Sequence, residues 1–229
     1  MSSAALGAAT LPAGDTKAQL KAAAQVLFAR YGVDAVTVQQ IVNAAGQRNN
    51  AALHYHFGDK DELIRQLVVD GAKVLDQRRR EMLNALEIRG RPPSVRDILV
   101  VLVMPVIELS NDARWAGYVR FTSNLQSTNR AMLRSALNSK WNGGYVACLA
   151  HLKALLQAIP EPLIDQRLSI LGIYANAILS AREAALDTPT ARQARFWERR
   201  YTLENILDTL EATITCKPSS RSLALVSQS

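Results

Sequence analysis

The sequence predicts an all-α protein, and three observations lead to this prediction. Apolar residues recur at three- and four-residue steps, as in the run from Val38 to Ala45, which is the spacing of one face of a helix. Residues that favour helix ends flank such runs, with Thr37 before this one and Gly46 after it. No stretch shows the sustained alternation of apolar and polar residues that is typical of a β-strand.

Composition sets the outer limits of function. The chain has 229 residues, 48% of them hydrophobic, which is enough for a sizeable core in one or two domains. Its formal net charge of +7 favours an anionic partner, and a basic balance alone suits DNA and an acidic membrane surface equally well. Cys148 and Cys216 are far apart and fit no disulfide or metal spacing.

The sequence contains no predicted membrane segment. The longest apolar run, from Ile98 to Ile107, is too short to span a bilayer. Residues 1–14 lack the basic start and the continuous apolar core of a signal peptide, and their small, Pro/Gly-containing composition predicts a disordered arm. We therefore expect a cytoplasmic protein that does not bind membranes.

Residues 37–63 have the pattern of a helix-turn-helix. Thr37 and Gln40 form a capping box for a first helix, and Gly46 ends it. A second helix with a polar, aromatic face ends at Gly58, and Asp59 caps a third. No Asp or Glu occurs from residue 35 to residue 58, although charged residues make up 21% of the chain. A surface that meets phosphates excludes carboxylates, so this segment is predicted to bind DNA.

These residues carry a resemblance to a known family. The segment YGVDAVTVQQIVNAAG, followed by ALHYHFGDKDELI, resembles the TetR family of bacterial transcriptional regulators over about residues 16–75. The resemblance implies a homodimer whose N-terminal three-helix domain binds a palindromic operator in double-stranded DNA, while a larger helical domain binds an inducer and dimerises. The expected domains are a helix-turn-helix domain at 15–62 and a ligand-binding and dimerisation domain at 63–215, with a disordered tail at 216–229.

The resemblance also assigns the DNA contacts. The phosphate contacts are expected at Thr37, His54, Tyr55 and Lys60, and the base-reading segment at Gln47, Arg48, Asn49, Asn50 and Ala51. The chain is one residue longer than the common family pattern between Gly46 and Phe57, and Arg48, Asn49 and Asn50 replace its usual small residues. The register of the base contacts is therefore open by one residue.

The rest of the chain is predicted to be helical. A long helix runs from residue 59 to about 87, and further helices are expected near 95–110, 114–126, 129–157, 161–187 and 190–215. Pro105 is predicted to kink the helix expected near 95–110. Gly143 and Gly144 mark either a bend beside a ligand or a close helix contact.

The helices expected near 161–187 and 190–215 are candidates for the dimer interface. Both are interpreted as apolar on more than one face, so that the inner faces pack in their own domain and the outer faces pair with a symmetry mate in a four-helix bundle. The alternative is a single thick core that takes up all of their apolar residues.

Aromatic residues concentrated in the middle helices predict a pocket for an apolar small-molecule effector. Filling of the core explains the same residues equally well. The candidate ligand-binding residues are Met104, Trp115, Tyr118, Phe121, Asn124, Trp141, Tyr145, His151 and Tyr174.

Other functions are less well supported by the sequence. His54 and His56 are two apart on a helix and point in different directions, so no metal site is expected. Arg78, Arg79 and Arg80 are interpreted as a solvated face or an intersubunit ion pair. Catalytic and cofactor motifs are absent, so neither an enzyme nor a cofactor is expected. The sequence thus predicts a ligand-responsive repressor, and the alternatives are a DNA-binding architectural or activating protein without a ligand, and a basic helical enzyme or carrier.

Overall fold

The computed structural model describes residues 15–138, 140–187 and 191–228. Within these residues the chain forms twelve α-helices and one short 3-10 helix, and it contains no strand, which confirms the all-α prediction. The predicted N-terminal arm, residues 1–14, lies outside the described residues. No helix of the described part combines the length and the apolar character that a membrane span requires.

The helices at Val38–Ala44, Lys60–Ile88 and Val95–Asn111 begin and end close to the expected limits. The 3-10 helix at Ala113–Trp115 precedes the sixth helix. The helices are α1 Thr16–Tyr31, α2 Val38–Ala44, α3 Ala51–Phe57, α4 Lys60–Ile88, α5 Val95–Asn111, α6 Tyr118–Thr128, α7 Arg130–Leu137, α8 Gly143–Leu155, α9 Glu161–Asp187, α10 Ala191–Trp197, α11 Thr202–Thr215 and α12 Ser220–Val226.

The chain divides into two compact units. Unit 1 comprises the described residues up to Gly71 together with Ser110–Ala136, and unit 2 comprises Ala72–Leu109 and the described residues from Leu137 onward. Helix α4 contributes residues to both units. Unit 1 is larger than the helix-turn-helix domain expected at 15–62, and that boundary stays a prediction.

Unit 1 is held together by contacts between α1 and α6. The rings of Phe28 and Phe121 stack with their centroids 5.7 Å apart, and both side chains are fully buried. The Tyr118 hydroxyl donates a hydrogen bond to the Val68 carbonyl at 2.9 Å, and its ring lies against Gly71, where a side chain would collide with it. These contacts fix α6 against α1 and the first half of α4.

The single helix expected at 129–157 is interrupted. Helix α7 ends at Leu137, Asn138 has a left-handed φ of 40°, and α8 begins at Gly143. A Cβ atom at Gly144 would lie 2.8 Å from the Arg79 Cβ and 3.0 Å from the Asp76 carbonyl oxygen. The two glycines therefore begin a helix and allow it to approach α4 closely, and they do not lie at a bend within a longer helix.

The helix expected at 190–215 is also two helices, α10 and α11. The apolar residues of α11 face its own unit, since Ile206, Leu207, Leu210 and Ile214 are all buried. Its outward residues include Glu204 and Asp208, so the interpretation of α11 as apolar on more than one face is corrected.

The segment expected to be a disordered tail contains a short helix, α12. The Ser219 hydroxyl accepts a hydrogen bond from the Ser222 backbone N–H at 3.1 Å, which satisfies one of the amides at the helix start. Composition rich in serine suggested disorder, but a serine at the capping position favours a helix end.

Candidate nucleic-acid interface and ligand pocket

Buried apolar residues of α2 and α3 hold the helix-turn-helix in place. Ile41 and Leu53 are fully buried and Phe57 is nearly so. The predicted capping box at the start of α2 is present: the Thr37 N–H donates to Gln40 Oε1 at 2.8 Å, and the Gln40 N–H donates to Thr37 Oγ1 at 3.3 Å. The start of α2 is therefore fixed by its own side chains.

Most of the expected base-reading segment lies in the turn before α3. Gly46 has a φ of +69°, a conformation that side chains disfavour, and the chain then reaches α3 at Ala51. Residues 47–50 therefore precede the helix. These residues were expected on the polar face of the second helix, since no apolar residue between Gly46 and Ala51 marks where that helix begins.

Local hydrogen bonds hold two side chains of this turn. The Gln47 Nε2 donates to Gln19 Oε1 of α1 at 3.0 Å, and the Ala51 N–H donates to Asn49 Oδ1 at 2.9 Å. Asn50 is half-buried, and its Oδ1 atom is buried without a hydrogen-bond partner among the described residues. Arg48 is exposed, so it is the cation that this turn presents to solvent.

His54 and Tyr55 project from α3. The His54 Nδ1 lies 2.7 Å from the Gly58 carbonyl oxygen, which can only accept, so this nitrogen carries the hydrogen and Nε2 faces away from the bond. Tyr55 is 85% exposed, and its ring meets the edge of His56 at a centroid distance of 5.0 Å. An exposed aromatic phenol of this kind suits a contact with a phosphate or a base.

Lys60 is held by the loop between α1 and α2. Its Nζ donates to the Val33 carbonyl at 2.9 Å and to the Val36 carbonyl at 3.0 Å. The helix dipole disfavours a cation in the first turn of α4, and the two carbonyl oxygens compensate for this. An ammonium group has three hydrogens, so one remains for a phosphate.

Eight exposed residues of the acid-free segment form what we call the HTH surface. Sequence analysis missed Gln39 and Asn43, which are exposed on α2 and joined by a 2.8 Å hydrogen bond from Gln39 Nε2 to Asn43 Oδ1. Their position in the acid-free stretch was the available signal. The HTH surface comprises Thr37, Gln39, Asn43, Arg48, Asn49, Ala51, His54 and Tyr55.

The expected effector residues fall into both units. Trp115, Tyr118, Phe121 and Asn124 belong to unit 1, where Phe121 is fully buried in the contact with α1. The Trp115 ring meets the edge of Tyr118 at a centroid distance of 5.6 Å. These aromatic residues have packing roles in unit 1. Asn124 lies beside Gly32, and its Oδ1 is buried without a hydrogen-bond partner among the described residues.

The remaining expected effector residues belong to unit 2. The Tyr174 hydroxyl donates to Thr209 Oγ1 at 2.9 Å, which joins α9 to α11. The Arg79 guanidinium lies over the Tyr145 ring at 5.7 Å, and burial raises the pKa of Tyr145. Lys73 lies over Trp141 at 4.9 Å, and Met104 is half-buried on α5.

A cavity of about 250 Å³ lies between α4 and α8 of unit 2. Of the expected effector residues only His151 lines it, and no aromatic ring of Phe, Tyr or Trp does. We call this cavity the Arg80 pocket. Its lining consists of Arg80, Leu83, Asn84, Glu87, Gly143, Gly144, Ala147 and His151.

Asp76 organises one wall of the Arg80 pocket. This carboxylate is 7% exposed, it accepts the Arg80 Nε–H at 2.8 Å, and its other oxygen accepts the Gly144 N–H. Sequence analysis did not select Asp76, although its spacing of four residues from Arg80 was a signal for an ion pair on one helix face. The described residues contain no cluster of His, Cys, Asp or Glu that suits a metal ion.

Comparison with known proteins agrees with the helix-turn-helix. Residues 20–67 match the model of the family described as bacterial regulatory proteins, tetR family. No curated protein sequence matches the chain. The fold is similar to the crystal structure of AmtR from Mycobacterium smegmatis, at 17% sequence identity and a TM-score of 0.50, over 95% of this chain and 94% of that one.

A second solved structure, described as the molecular basis for control of antibiotic production by bacterial hormones, matches more weakly. It has 16% sequence identity and a TM-score of 0.40, over 88% of this chain and 96% of that one. At these identities the likeness concerns the fold, and the family match rests on the N-terminal segment.

Proposed function

We propose that the chain, whose residues 20–67 match the tetR family of bacterial regulatory proteins, is a transcriptional repressor that binds a palindromic DNA operator as a homodimer and is released by a small-molecule inducer. The observation that carries the proposal is the HTH surface, which presents Arg48 and Tyr55 to solvent on a stretch without any carboxylate. Phosphates repel carboxylates and attract exposed cations and hydrogen-bond donors.

The two kinds of DNA contact are assigned to residues of the HTH surface and to three half-buried residues beside it, Gln47, Asn50 and Lys60. Four residues are proposed to bind phosphates: Thr37, His54, Tyr55 and Lys60. Arg48 and Asn49, in the turn and just before α3, are proposed to reach base edges, together with Gln47, Asn50 and Ala51. An arginine reads guanine through two parallel hydrogen bonds, so Arg48 is the strongest candidate for base specificity.

The dimer is proposed to form through α9. Ile170 and Ile173 are 51% and 66% exposed, and with Ala177, Ala181 and Ala184 they form an exposed apolar stripe along one helix face. A shallow depression of about 420 Å³ lined by Ile170 and neighbouring residues lies on the same face. Large aliphatic side chains with no cover in their own chain favour pairing with a second copy.

A dimer gives the operator its symmetry. Two recognition segments related by a twofold axis contact half-sites about 34–36 Å apart, or a multiple of that, so the operator is expected to be palindromic. Each subunit supplies half of the contacts, and loss of the dimer therefore removes much of the operator affinity.

Release by an inducer is proposed to be a shift of population. A ligand that binds better to a conformation with low operator affinity weakens DNA binding by the ratio of its affinities for the two conformations. The residues that bind it are proposed to lie in unit 2, which contains five of the candidate ligand-binding residues, Met104, Trp141, Tyr145, His151 and Tyr174.

The test is a gel-shift assay with DNA from upstream of the gene, using the full chain and two single variants. Arg48→Ala should weaken binding to the shifted fragment, because it removes an exposed cation of the HTH surface. Arg221→Ala is the matched control, because Arg221 is equally charged and exposed but lies on α12 in unit 2. Equal effects of the two variants would contradict the assigned surface, and DNA binding that no small molecule weakens would favour the architectural or activating alternative.

A further inference from the structure

We propose that the Arg80 pocket binds the carboxylate of a small polar molecule that carries a hydrogen-bond donor at its other end, and that this molecule is the inducer. The second half of the proposal rests on the proposed function, whereas the binding itself does not. It replaces the expected apolar effector with a polar one, because four of the eight residues that line the cavity, Arg80, Asn84, Glu87 and His151, are polar or charged.

The size of the cavity limits the ligand. Pockets for drug-sized molecules usually measure about 300–1,000 Å³. The Arg80 pocket measures about 250 Å³, so it suits a molecule smaller than these. Both walls belong to unit 2, with α4 on one side and α8 on the other.

The guanidinium of Arg80 is positioned before any ligand arrives. Its Nε–H is bound at 2.8 Å by Asp76, which is itself nearly fully buried and held by the Gly144 N–H. The two terminal nitrogens of Arg80 form no hydrogen bond within the described residues, and 57% of the side chain is exposed. The free edge of such a guanidinium can donate two parallel hydrogen bonds to one carboxylate.

Glycines make room for this arrangement. A Cβ atom at Gly143 would collide with a terminal nitrogen of Arg80, and one at Gly144 would lie 3.2 Å from Asp76 Oδ1. Side chains at these positions would displace Arg80 or push α8 away from α4. The absence of side chains at the start of α8 therefore keeps the guanidinium at the edge of the cavity.

The far end of the pocket has the opposite charge. Asn84 and Glu87 follow Arg80 on α4 by four and seven residues, which places them on one helix face over a length of about 10 Å. Neither these two side chains nor His151 has a hydrogen-bond partner in the described part of the chain. A ligand with a carboxylate at Arg80 and an ammonium or hydroxyl group at Glu87 complements this order of charges.

Calorimetric titration of the full chain tests the binding, with γ-aminobutyrate as the probe. We expect saturable binding to the wild-type protein, and a dissociation constant about ten- to hundredfold higher in Arg80→Gln, because a charge-assisted pair is lost. Arg78→Gln is the matched control, since Arg78 is on the same helix and pairs with Glu108 outside the pocket. No saturable binding to the wild type, or equal changes in the two variants, would overturn the proposal.

A second variant separates loss of the site from loss of folding. Ala147→Leu fills the cavity without changing a charge or the Asp76–Arg80 pair, so it should also abolish binding while the melting temperature stays close to that of the wild type. Undiminished binding by this variant would place the probe elsewhere and overturn the assignment.

The same proteins, assayed on operator DNA, distinguish this proposal from the proposed function. Arg80→Gln should bind the operator as well as the wild type does but should no longer be released by γ-aminobutyrate. A wild type that binds DNA but shows no binding of the probe contradicts the pocket alone. A wild type that binds the probe through Arg80 but does not bind DNA supports the site and contradicts the repressor.

Discussion

The two units differ in the chemistry that they leave without a partner. On the HTH surface of unit 1, exposed Arg48 and Tyr55 stand on a segment with no carboxylate. In unit 2 two arginines of α4 are bound within the chain: Arg78 pairs with Glu108 at 2.9 Å, and Arg79 donates to the Leu102 carbonyl at 3.2 Å. Unit 2 instead exposes the apolar stripe of α9.

This difference indicates which partner each surface suits. A positive, polar surface without acids suits a polyanion, whereas exposed isoleucines suit a second apolar surface. Net charge alone does not make this distinction, because the sum of +7 does not tell which cations are bound to carboxylates and which are exposed. Arg96, for example, binds Glu204, Asp208 and Glu211, and these hydrogen bonds raise the pKa of Arg96.

The largest effect is expected from a charge in the apolar stripe. Ile173→Arg should leave monomers with operator affinity reduced by about a hundredfold or more, because burying an unpaired cation in the interface is costly and each monomer reaches one half-site. Light scattering and fluorescence anisotropy measure the two effects. Asn205→Arg, on the exposed polar face of α11, is the control and should stay dimeric. Monomers from the control alone would move the interface to α11.

Reversal of charge on the HTH surface should have the next largest effect. Arg48→Glu should weaken operator binding by about a hundredfold, since it removes a contact from both subunits and places a carboxylate near phosphates. Anisotropy at constant salt measures the loss, and Arg221→Glu supplies the same change of charge on α12. If both variants lose affinity alike, net charge rather than the HTH surface determines binding.

Replacement of Lys60 tests a residue that stabilises the fold and is also proposed to bind a phosphate. Lys60→Met keeps the aliphatic stem but loses the bonds to the Val33 and Val36 carbonyls, so unfolding free energy should fall by about 1–3 kcal/mol. If the third ammonium hydrogen binds a phosphate, the slope of log affinity against log salt also falls by about one per subunit. Urea unfolding and a salt series measure these effects, and unchanged stability would contradict the role of the two carbonyls.

The smallest effect concerns Asp97 at the start of α5 in unit 2. Hydrogen bonds from the backbone and the hydroxyl of Ser94, with a further contribution from Arg91, lower the pKa of Asp97 from 3.8 to about 2. A lowered pKa in the folded state stabilises the protein above pH 3.8, and this stabilisation is lost as the pH falls toward 2.

Asp97→Asn should therefore be less stable than the wild type near neutral pH, by about 1 kcal/mol after solvent screening, and the difference should shrink in acid. Urea unfolding of both proteins across this pH range measures it. A difference that stays constant with pH would mean that the Asp97 charge contributes nothing. Asp97 is bound by residues at most six positions away in the sequence. The difference in stability between Asp97→Asn and the wild type therefore measures how much a local helix cap stabilises unit 2.

Local signals explain what the sequence predicted well. The capping box joins Thr37 to Gln40, and the cap of α4 joins Asp59 to Glu62. Because each pair is three residues apart, these hydrogen bonds can be predicted from the spacing alone. The limits of α9, residues 161–187, agree with the expectation because Pro160 and the residues after it mark its start. The helix-turn-helix is built mainly from signals of this kind.

Contacts between distant residues explain what the sequence did not predict. The Arg80 pocket depends on the bond from the Gly144 N–H to Asp76, which joins residues 68 positions apart. Aromatic composition suggested that Phe121 and Tyr174 bind a ligand. In the structure Phe121 packs against α1, and Tyr174 is hydrogen-bonded to α11. The sequence also does not show which way the apolar residues of α11 face, because this depends on the helices that pack against α11.

The most direct test of the central claim is the affinity of the full chain for DNA from upstream of its gene, measured by fluorescence anisotropy over a series of salt concentrations. The account predicts tight binding whose logarithm falls linearly with the logarithm of the salt concentration, together with much weaker binding to unrelated DNA of the same length. In Arg48→Ala the preference for the upstream sequence should shrink while binding to unrelated DNA changes little. Equal affinity of the wild type for both DNAs, or no binding to either, would contradict the assignment of the HTH surface as an operator-reading site.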